Sequence, residues 1–373
     1  MTFPSDGSAS DSSGPASYAS AGVDIEAGER AVSLFAPFAG KATRPEVLGG
    51  LGGFAGLFAL KDGYREPVLA ASTDGVGTKV DIAAKMDKRD TVGLDLVAMV
   101  VDDLVVCGAE PLFLLDYIAC GKLVPEHIAE LVAGVAKGCE RAGCALLGGE
   151  TAEHPGLMDP RAFDLAATAV GVVEADSVLG PERVRPGDVV VAMRSSGLHS
   201  NGYSLVRHVL FDQANLDLHA HVAEFGRTLG EELLEPTRIY VKDCLALVAE
   251  TTVRTFCHVT GGGVAKNLER VVPDGLTAVL DRGSWTPGPS STSSAGPVGS
   301  NSPSWRRRST SASACSRSSP PRTSTAPSPC SPPATSTAGS SATSAPQEKT
   351  TGKSSSLVRT QDSRSLPAPE RPC

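Results

Sequence analysis

Several segments carry the residue types needed to hold a polyphosphate and a divalent cation. Gly49-Gly50-Leu51-Gly52-Gly53-Phe54-Ala55-Gly56 is rich enough in glycine for backbone amides to approach phosphate oxygens closely, the alternative being a flexible loop. Its spacing is not that of a dinucleotide fingerprint. Ser72-Thr73-Asp74-Gly75-Val76-Gly77-Thr78-Lys79 supplies a carboxylate for a metal, hydroxyls and amides for phosphate, and a lysine for charge; a tight Asp-Gly turn is the plainer reading. The apolar stretch 91–107 is interrupted by Asp95, Asp102 and Asp103. On a helix, Asp95 and Asp102 share a face two turns apart and Asp103 lies beside it. Buried carboxylates need a cation, and Mg2+ held by carboxylates and phosphates would meet that need, unless the aspartates mark a solvated stripe.

Three further segments stand at the ends of expected strands. Gly148-Gly149-Glu150-Thr151-Ala152-Glu153 offers glycines for close approach. In Ser195-Ser196-Gly197-Leu198-His199-Ser200-Asn201-Gly202, Asn201 could contact phosphate or simply cap a helix. His258-Val259-Thr260-Gly261-Gly262-Gly263 leads into a helix and suits a phosphate pocket, while His258 is either a base or a satisfied core histidine. The sequence has no Walker A motif and no kinase catalytic-loop set.

These segments must be positioned by an α/β framework. Strands are expected at 68–72, 112–118, 144–147 and 165–173, with helices at 91–107 and 125–141. Pro125 suits a first helical turn, and Ile128, Leu131, Val132, Val135 and Cys139 share one face. After a polar passage at 180–188, a second α/β unit is expected, with strands at 188–193, 256–259 and 276–280 and helices at 202–210, 239–248 and 264–271. The domains are therefore a leader at 1–17, expected to be disordered, an N-terminal domain at 18–176, a partial C-terminal domain at 186–285, and a tail at 286–373.

Lys plus Arg total 34 against 42 Asp plus Glu, a net charge of −8. That disfavours nucleic acid or an anionic membrane surface as partner. No stretch reaches membrane-span length, and the leader lacks the charge and apolar pattern of a secretory signal. Nine cysteines without a CxxC pair point to buried free thiols in a reducing cytoplasm. From residue 286 onward, Val298, Trp305, Leu357, Val358 and Leu366 are the only large apolar residues. Such a tail cannot bury enough surface to offset its ordering entropy.

As an ordered ensemble, the segments resemble the aminoimidazole ribonucleotide synthetase family, the phosphoribosylformylglycinamidine cyclo-ligases. The likeness runs from Ala21-Gly22-Val23-Asp24-Ile25 through Asp74 to Lys79, Asp95 to Tyr117, Gly148 to Gly156, Ser195 to Arg207 and Pro236-Thr237-Arg238-Ile239-Tyr240 to Gly263. The resemblance implies a two-domain ATP-binding α/β (α+β) fold, a homodimer formed through the N-terminal sheets, and ATP-dependent ring closure of formylglycinamidine ribonucleotide with Mg2+. It implies ATP contacts from Gly49, Gly50, Gly52, Gly53, Thr73, Gly75, Gly77, Thr78, Gly149, Glu150, Thr151, Asn201, Thr260, Gly261 and Gly262. Metal ligation falls to Asp74, Asp95 and Asp103, and catalysis to His258, His199 and Lys79. Other ATP-dependent members of the same superfamily, or a catalytically dead product, are the alternatives.

The sequence departs from the family in two small ways and one large one. Ala19-Ser20 stands where relatives often carry a lysine, and Asp102-Asp103-Leu104 where many have Asn-Asp-Leu. The large departure is the tail. A one-base shift in a GC-rich gene turns codons for Val, Leu and Ile into Ser, Asp into Thr, Ala into Pro and Glu into Arg, which is the composition seen. Reversed over Trp305 to Cys315, it is compatible with Leu-Glu-Ala-Thr-Leu-Asn-Ile-Gly-Val-Gly-Met, which ends in the family string. An out-of-frame tail beginning after about Trp285 is therefore expected, leaving the second domain incomplete.

Overall fold

A computed structural model describes residues 23–50, 53–285 and 314–317, all within one compact unit, residues 1–321. The leader at 1–17, Gly52 and most of the tail lie outside the described residues.

The N-terminal half comprises α1 (Ile25–Ala39), β1 (Val47–Leu48), β2 (Leu57–Phe58), β3 (Pro67–Gly75), α2 (Lys79–Lys85), α3 (Val92–Val106), β4 (Glu110–Cys120), α4 (Pro125–Ala142), β5 (Ala145–Glu153) and β6 (Phe163–Glu174). β1 and β2 pair with each other, and the remaining four strands form one sheet in the order β3-β6-β4-β5, antiparallel except for the β4–β5 pair. α3 is apolar nearly all round because it is enclosed: only Asp103 and Val106 among its residues escape full burial. It meets α4 at unusually short range. A Cβ on Gly93 would lie 2.4 Å from the Val135 nitrogen, and one on Gly134 would lie 2.3 Å from the Asp90 carbonyl oxygen. α4 begins at Pro125, as its sequence predicts, and buries Ile128, Leu131, Val132, Val135 and Cys139.

The C-terminal half comprises β7 (Val189–Ala192), α5 (Tyr203–Arg207), a π-helical turn at His208–Gln213, β8 (His221–Val222), β9 (Arg227–Thr228), α6 (Leu229–Leu233), α7 (Val241–Glu250), β10 (Val253–Cys257), α8 (Gly263–Glu269) and β11 (Ala314–Arg317). Val105 of α3, Tyr240, Cys244 and Phe256 share one buried cluster, so α3 is the spine of both halves.

Three expectations are corrected. Residues 276–280 form no strand: Val279 is 87% exposed, while Ala278 and Leu280 rest against a small cluster around Cys257, Val259 and Leu268. The motif at 148–153, expected after a strand, lies inside β5, paired with β4 from Gly148↔Leu115 onward. The tail was expected to be disordered with no packed core, and the short segment of it that is described, β11, pairs between β10 and β7, antiparallel to both. Backbone pairing requires no large side chains, which is why composition gave no warning of it. Cys120, Cys139, Cys144 and Cys257 are buried free thiols, as expected, with Cys244 also buried and Cys107 half-buried. Among the described residues no helix is long and apolar enough to cross a membrane.

Candidate active site at the junction of the two halves

The site is assembled on one face of α3, where it meets the end of β3 and the end of β10. Strand alternation sends Ser72 and Asp74 toward α3 and Thr73 to the opposite, exposed face, where its hydroxyl meets Thr168 at 2.8 Å across the sheet. Ser72 Oγ reaches Asp103 Oδ2 at 3.4 Å. Asp103 Oδ1 in turn lies 2.7 Å from His258 Nδ1, just beyond β10. The His258 side chain is 9% exposed and that of Asp103 44%, so the pair sits at the rim of the site with the carboxylate open to solvent. Burial alone would lower the His258 pKa. The hydrogen bond to Asp103 and the charges of Asp102, Asp103 and Asp74 outweigh it and hold the imidazole above its ordinary value. His258 is therefore protonated more often than a free imidazole, which suits an acid or a cation better than the expected base.

His199 is a different kind of histidine. Burial, with the charges of Lys79, His258 and Arg238, drives its pKa down to about 3. Its Nε2 faces the Ser196 backbone N–H at 3.2 Å and the Arg238 N–H at 3.4 Å. Both donors need a lone pair on that nitrogen, so the ring is neutral with its proton on Nδ1. His199, expected to be catalytic, ties two loops together in this structure through the lone pair on Nε2.

Lys79 and Asp95 are likewise redirected. Lys79 Nζ donates to Asp95 Oδ1 at 2.9 Å and to the Glu235 carbonyl oxygen at 2.7 Å, with both side chains fully buried. Asp95 also accepts from the backbone and hydroxyl of Thr237. The cation that Asp95 was expected to find in a metal is thus supplied by lysine. The proposed trio Asp74, Asp95 and Asp103 does not come together. Asp102, whose pKa burial pushes up to about 7, accepts from the Tyr240 N–H at 2.9 Å through Oδ1, while its buried Oδ2 has no partner.

The phosphate-binding candidates divide in the same way. Asn201 stands near Gly261, 3.8 Å from where a Cβ would sit, and its amide faces Met99 of α3. Thr78 meets Ser204 at 3.2 Å, and Gly77, with φ of +71°, makes the turn into α2; Gly75 ends β3 beside Asp74. In the His258 loop the amides of Gly262 and Gly263 turn inward to the Thr260 carbonyl, and the Thr260 hydroxyl reaches Asn267. Gly261 keeps the freer amide. Gly149 is explained by packing: a Cβ there would fall 1.6 Å from Asp116 Oδ1. Glu150 and Thr151 continue the β5 ladder. Among the described residues no hydrogen bond or ion pair joins Gly49, Gly50, Gly53 or Gly149–Thr151 to the His258 cluster. Sequence reading gave no role to Ser196, Thr237, Arg238 or Tyr240, although the string 236–240 was part of the resemblance; their work is done largely through backbone groups.

Known proteins share this chain's sequence over most of its length. Residues 55–173 match the family model of the AIR synthase related protein N-terminal domain, and residues 185–298 match that of the C-terminal domain. A phosphoribosylformylglycinamidine cyclo-ligase of Geobacillus sp. (strain WCH70) is 54% identical over 269 residues, 72% of this chain and 78% of the relative. That of Anaeromyxobacter sp. (strain K) is 56% identical over the same shares. Among solved structures, a thiamine-monophosphate kinase from Stenotrophomonas maltophilia K279a aligns with a TM-score of 0.51 at 20% identity, covering 75% of this chain and 84% of that one. At that identity the likeness is one of fold. By sequence, across both halves and the junction between them, the chain belongs to the AIR synthase related family, among the phosphoribosylformylglycinamidine cyclo-ligases.

Proposed function

We propose that this chain closes the imidazole ring of formylglycinamidine ribonucleotide to give 5-aminoimidazole ribonucleotide, spending one ATP, as a step of purine biosynthesis. The observation that carries this reading is the Asp103–His258 pair beside Asp74, at the junction of two family domains in a chain more than half identical to cyclo-ligases. The chemistry needs what this cluster offers. The formyl oxygen is a poor leaving group, so it takes the γ-phosphoryl of ATP, releasing ADP. A substrate nitrogen then attacks the formyl carbon, the C–O bond breaks and inorganic phosphate departs with that oxygen. In phosphoryl transfer, catalysis is mostly positioning and charge stabilisation. His258, held by Asp103 through Nδ1, is oriented to present Nε2 to an anionic oxygen or a departing proton. The Gly261 amide, three residues on from His258, is a neutral donor in the same loop, with Asn201 beside it.

A Mg2+ ion usually takes one or two carboxylates, several waters and the nucleotide phosphates. Asp74 and the exposed Asp103 fit that demand. Among the described residues no three acidic, histidine or cysteine side chains form a ready-made cage, so the phosphates would complete the shell. When bound, the ion would neutralise phosphate charge. Homodimerisation is part of the same reading: the sheet face opposite α3 exposes Leu69, Leu115 and Tyr117 at 59%, 39% and 42%.

A labelling experiment tests the proposal. With heavy oxygen in the formyl group, the label is expected to appear in inorganic phosphate. Label released into water would overturn it.

A further inference from the structure

We propose that Thr237 is a positioning residue, the central pin of a latch that fixes the C-terminal half against α3 and so sets His258 against Asp103. The inference goes beyond the proposed reaction and does not depend on which substrate is used.

Residues 235–240 have no regular secondary structure, yet they run through a buried junction. Backbone groups in such a place must be satisfied by side chains. Here five of them are. The Glu235 carbonyl accepts from Lys79 Nζ, and the Pro236 carbonyl accepts from Ser196 Oγ at 2.6 Å. The Arg238 N–H donates to His199 and the Tyr240 N–H to Asp102. Thr237 lies at the middle, 2% exposed, and donates twice to the same oxygen, Asp95 Oδ1: from its backbone at 2.8 Å and from its hydroxyl at 2.5 Å. Lys79 Nζ donates to that oxygen as well.

The partners come from opposite halves. Lys79, Asp95 and Asp102 lie in the segment matching the N-terminal family domain, and Glu235 to Tyr240 in the segment matching the C-terminal one. Asp102 is followed directly by Asp103, the partner of His258. One rigid helix therefore carries, in order, the anchor for Thr237, the anchor for Tyr240 and the anchor for the imidazole. Thr237 fixes where the strap lies along that helix. Serine keeps both donors; valine keeps the shape but loses the hydroxyl.

Hydrogen exchange on the intact chain tests the latch. In the unsubstituted protein, the Thr237 and Tyr240 amides are expected to be as protected as those of β4, despite lying outside regular structure; rapid exchange there would overturn the proposal without any variant. In Thr237→Val both amides should exchange faster by about tenfold or more while β4 and β6 stay as they were, and Thr237→Ser should match the parent. Unchanged Tyr240 exchange in Thr237→Val, or an equal rise throughout β4 and β6, would contradict a local latch. If the proposed ring closure is assayed, Thr237→Val should lower kcat by about tenfold with KM held within about twofold, because misplacement acts on the transition state. Failure of turnover in the parent would count against the proposed reaction, whereas the exchange result stands apart from it.

Discussion

Asp103 and Asp95 lie on the same helix eight residues apart, and they should respond to the same substitution in opposite ways. Asp103 is partly exposed and holds His258. Asp103→Asn is expected to leave the melting temperature nearly unchanged and to lower turnover by roughly a hundredfold or more, as loss of a preorganised charge does. Asp95 is fully buried and neutralises Lys79. Asp95→Asn leaves a buried ammonium without its anion, a loss of about 3–5 kcal/mol of stability. Thermal melts and kinetics of the two variants side by side check this; equal effects would mean the two carboxylates share one role. The sequence showed that α3 carries buried acids and that buried acids need cations. It did not show which cation each would find, because Lys79 is sixteen positions away in sequence and the strap that completes its shell is more than a hundred positions further on. For the histidines the types alone were likewise ambiguous. What separates them is that a carboxylate faces one ring and backbone N–H groups face the other.

At the scale of elements, the strands and helices with a clear period were legible. Short apolar runs gave β3, β4 and β6, and the Pro125 start with its apolar face gave α4. What could not be read was where a ladder stops: β5 runs on through Gly148-Gly149, because Asp116 packs where a side chain on Gly149 would be. Of the Gly-Gly pair that looks like a phosphate loop, Gly149 leaves room for a neighbouring carboxylate, while a Cβ on Gly148 would make only ordinary contact with Leu115. Gly149→Ala should therefore destabilise the β4–β5 pair by ~1–3 kcal/mol through overpacking. Burial also pushes the Asp116 pKa up to about 7, and its Oδ2 has no partner. The folded state then keeps that proton to higher pH than the unfolded chain does, so stability falls as pH rises from the ordinary carboxylate range toward neutrality. Asp116→Asn cannot ionise. The drop in melting temperature between about pH 5 and about pH 8 should be smaller in that variant than in the parent, and an unchanged drop would show that Asp116 does not titrate in this window.

For the whole molecule, the two halves have unequal foundations. The N-terminal half has a complete sheet layered on α3 and α4, while β7, β10 and β11 form a short sheet over small clusters. The N-terminal half should therefore unfold last and carry the proposed dimer. Leu69→Asp together with Leu115→Asp on the exposed sheet face is expected to give a monomer by light scattering, and an unaltered mass would exclude that face. The change of composition after about residue 285 leads to a companion expectation: the version with its reading frame restored should be more active and more stable than this chain, and equal specific activity would show that the altered tail does no harm. Incubated with Mg2+-ATP and formylglycinamidine ribonucleotide, this chain should form 5-aminoimidazole ribonucleotide and ADP in equal amounts, and neither when the ribonucleotide is left out. ADP formed without the ribonucleotide, or no aminoimidazole product from either this chain or its frame-restored version, would contradict the account.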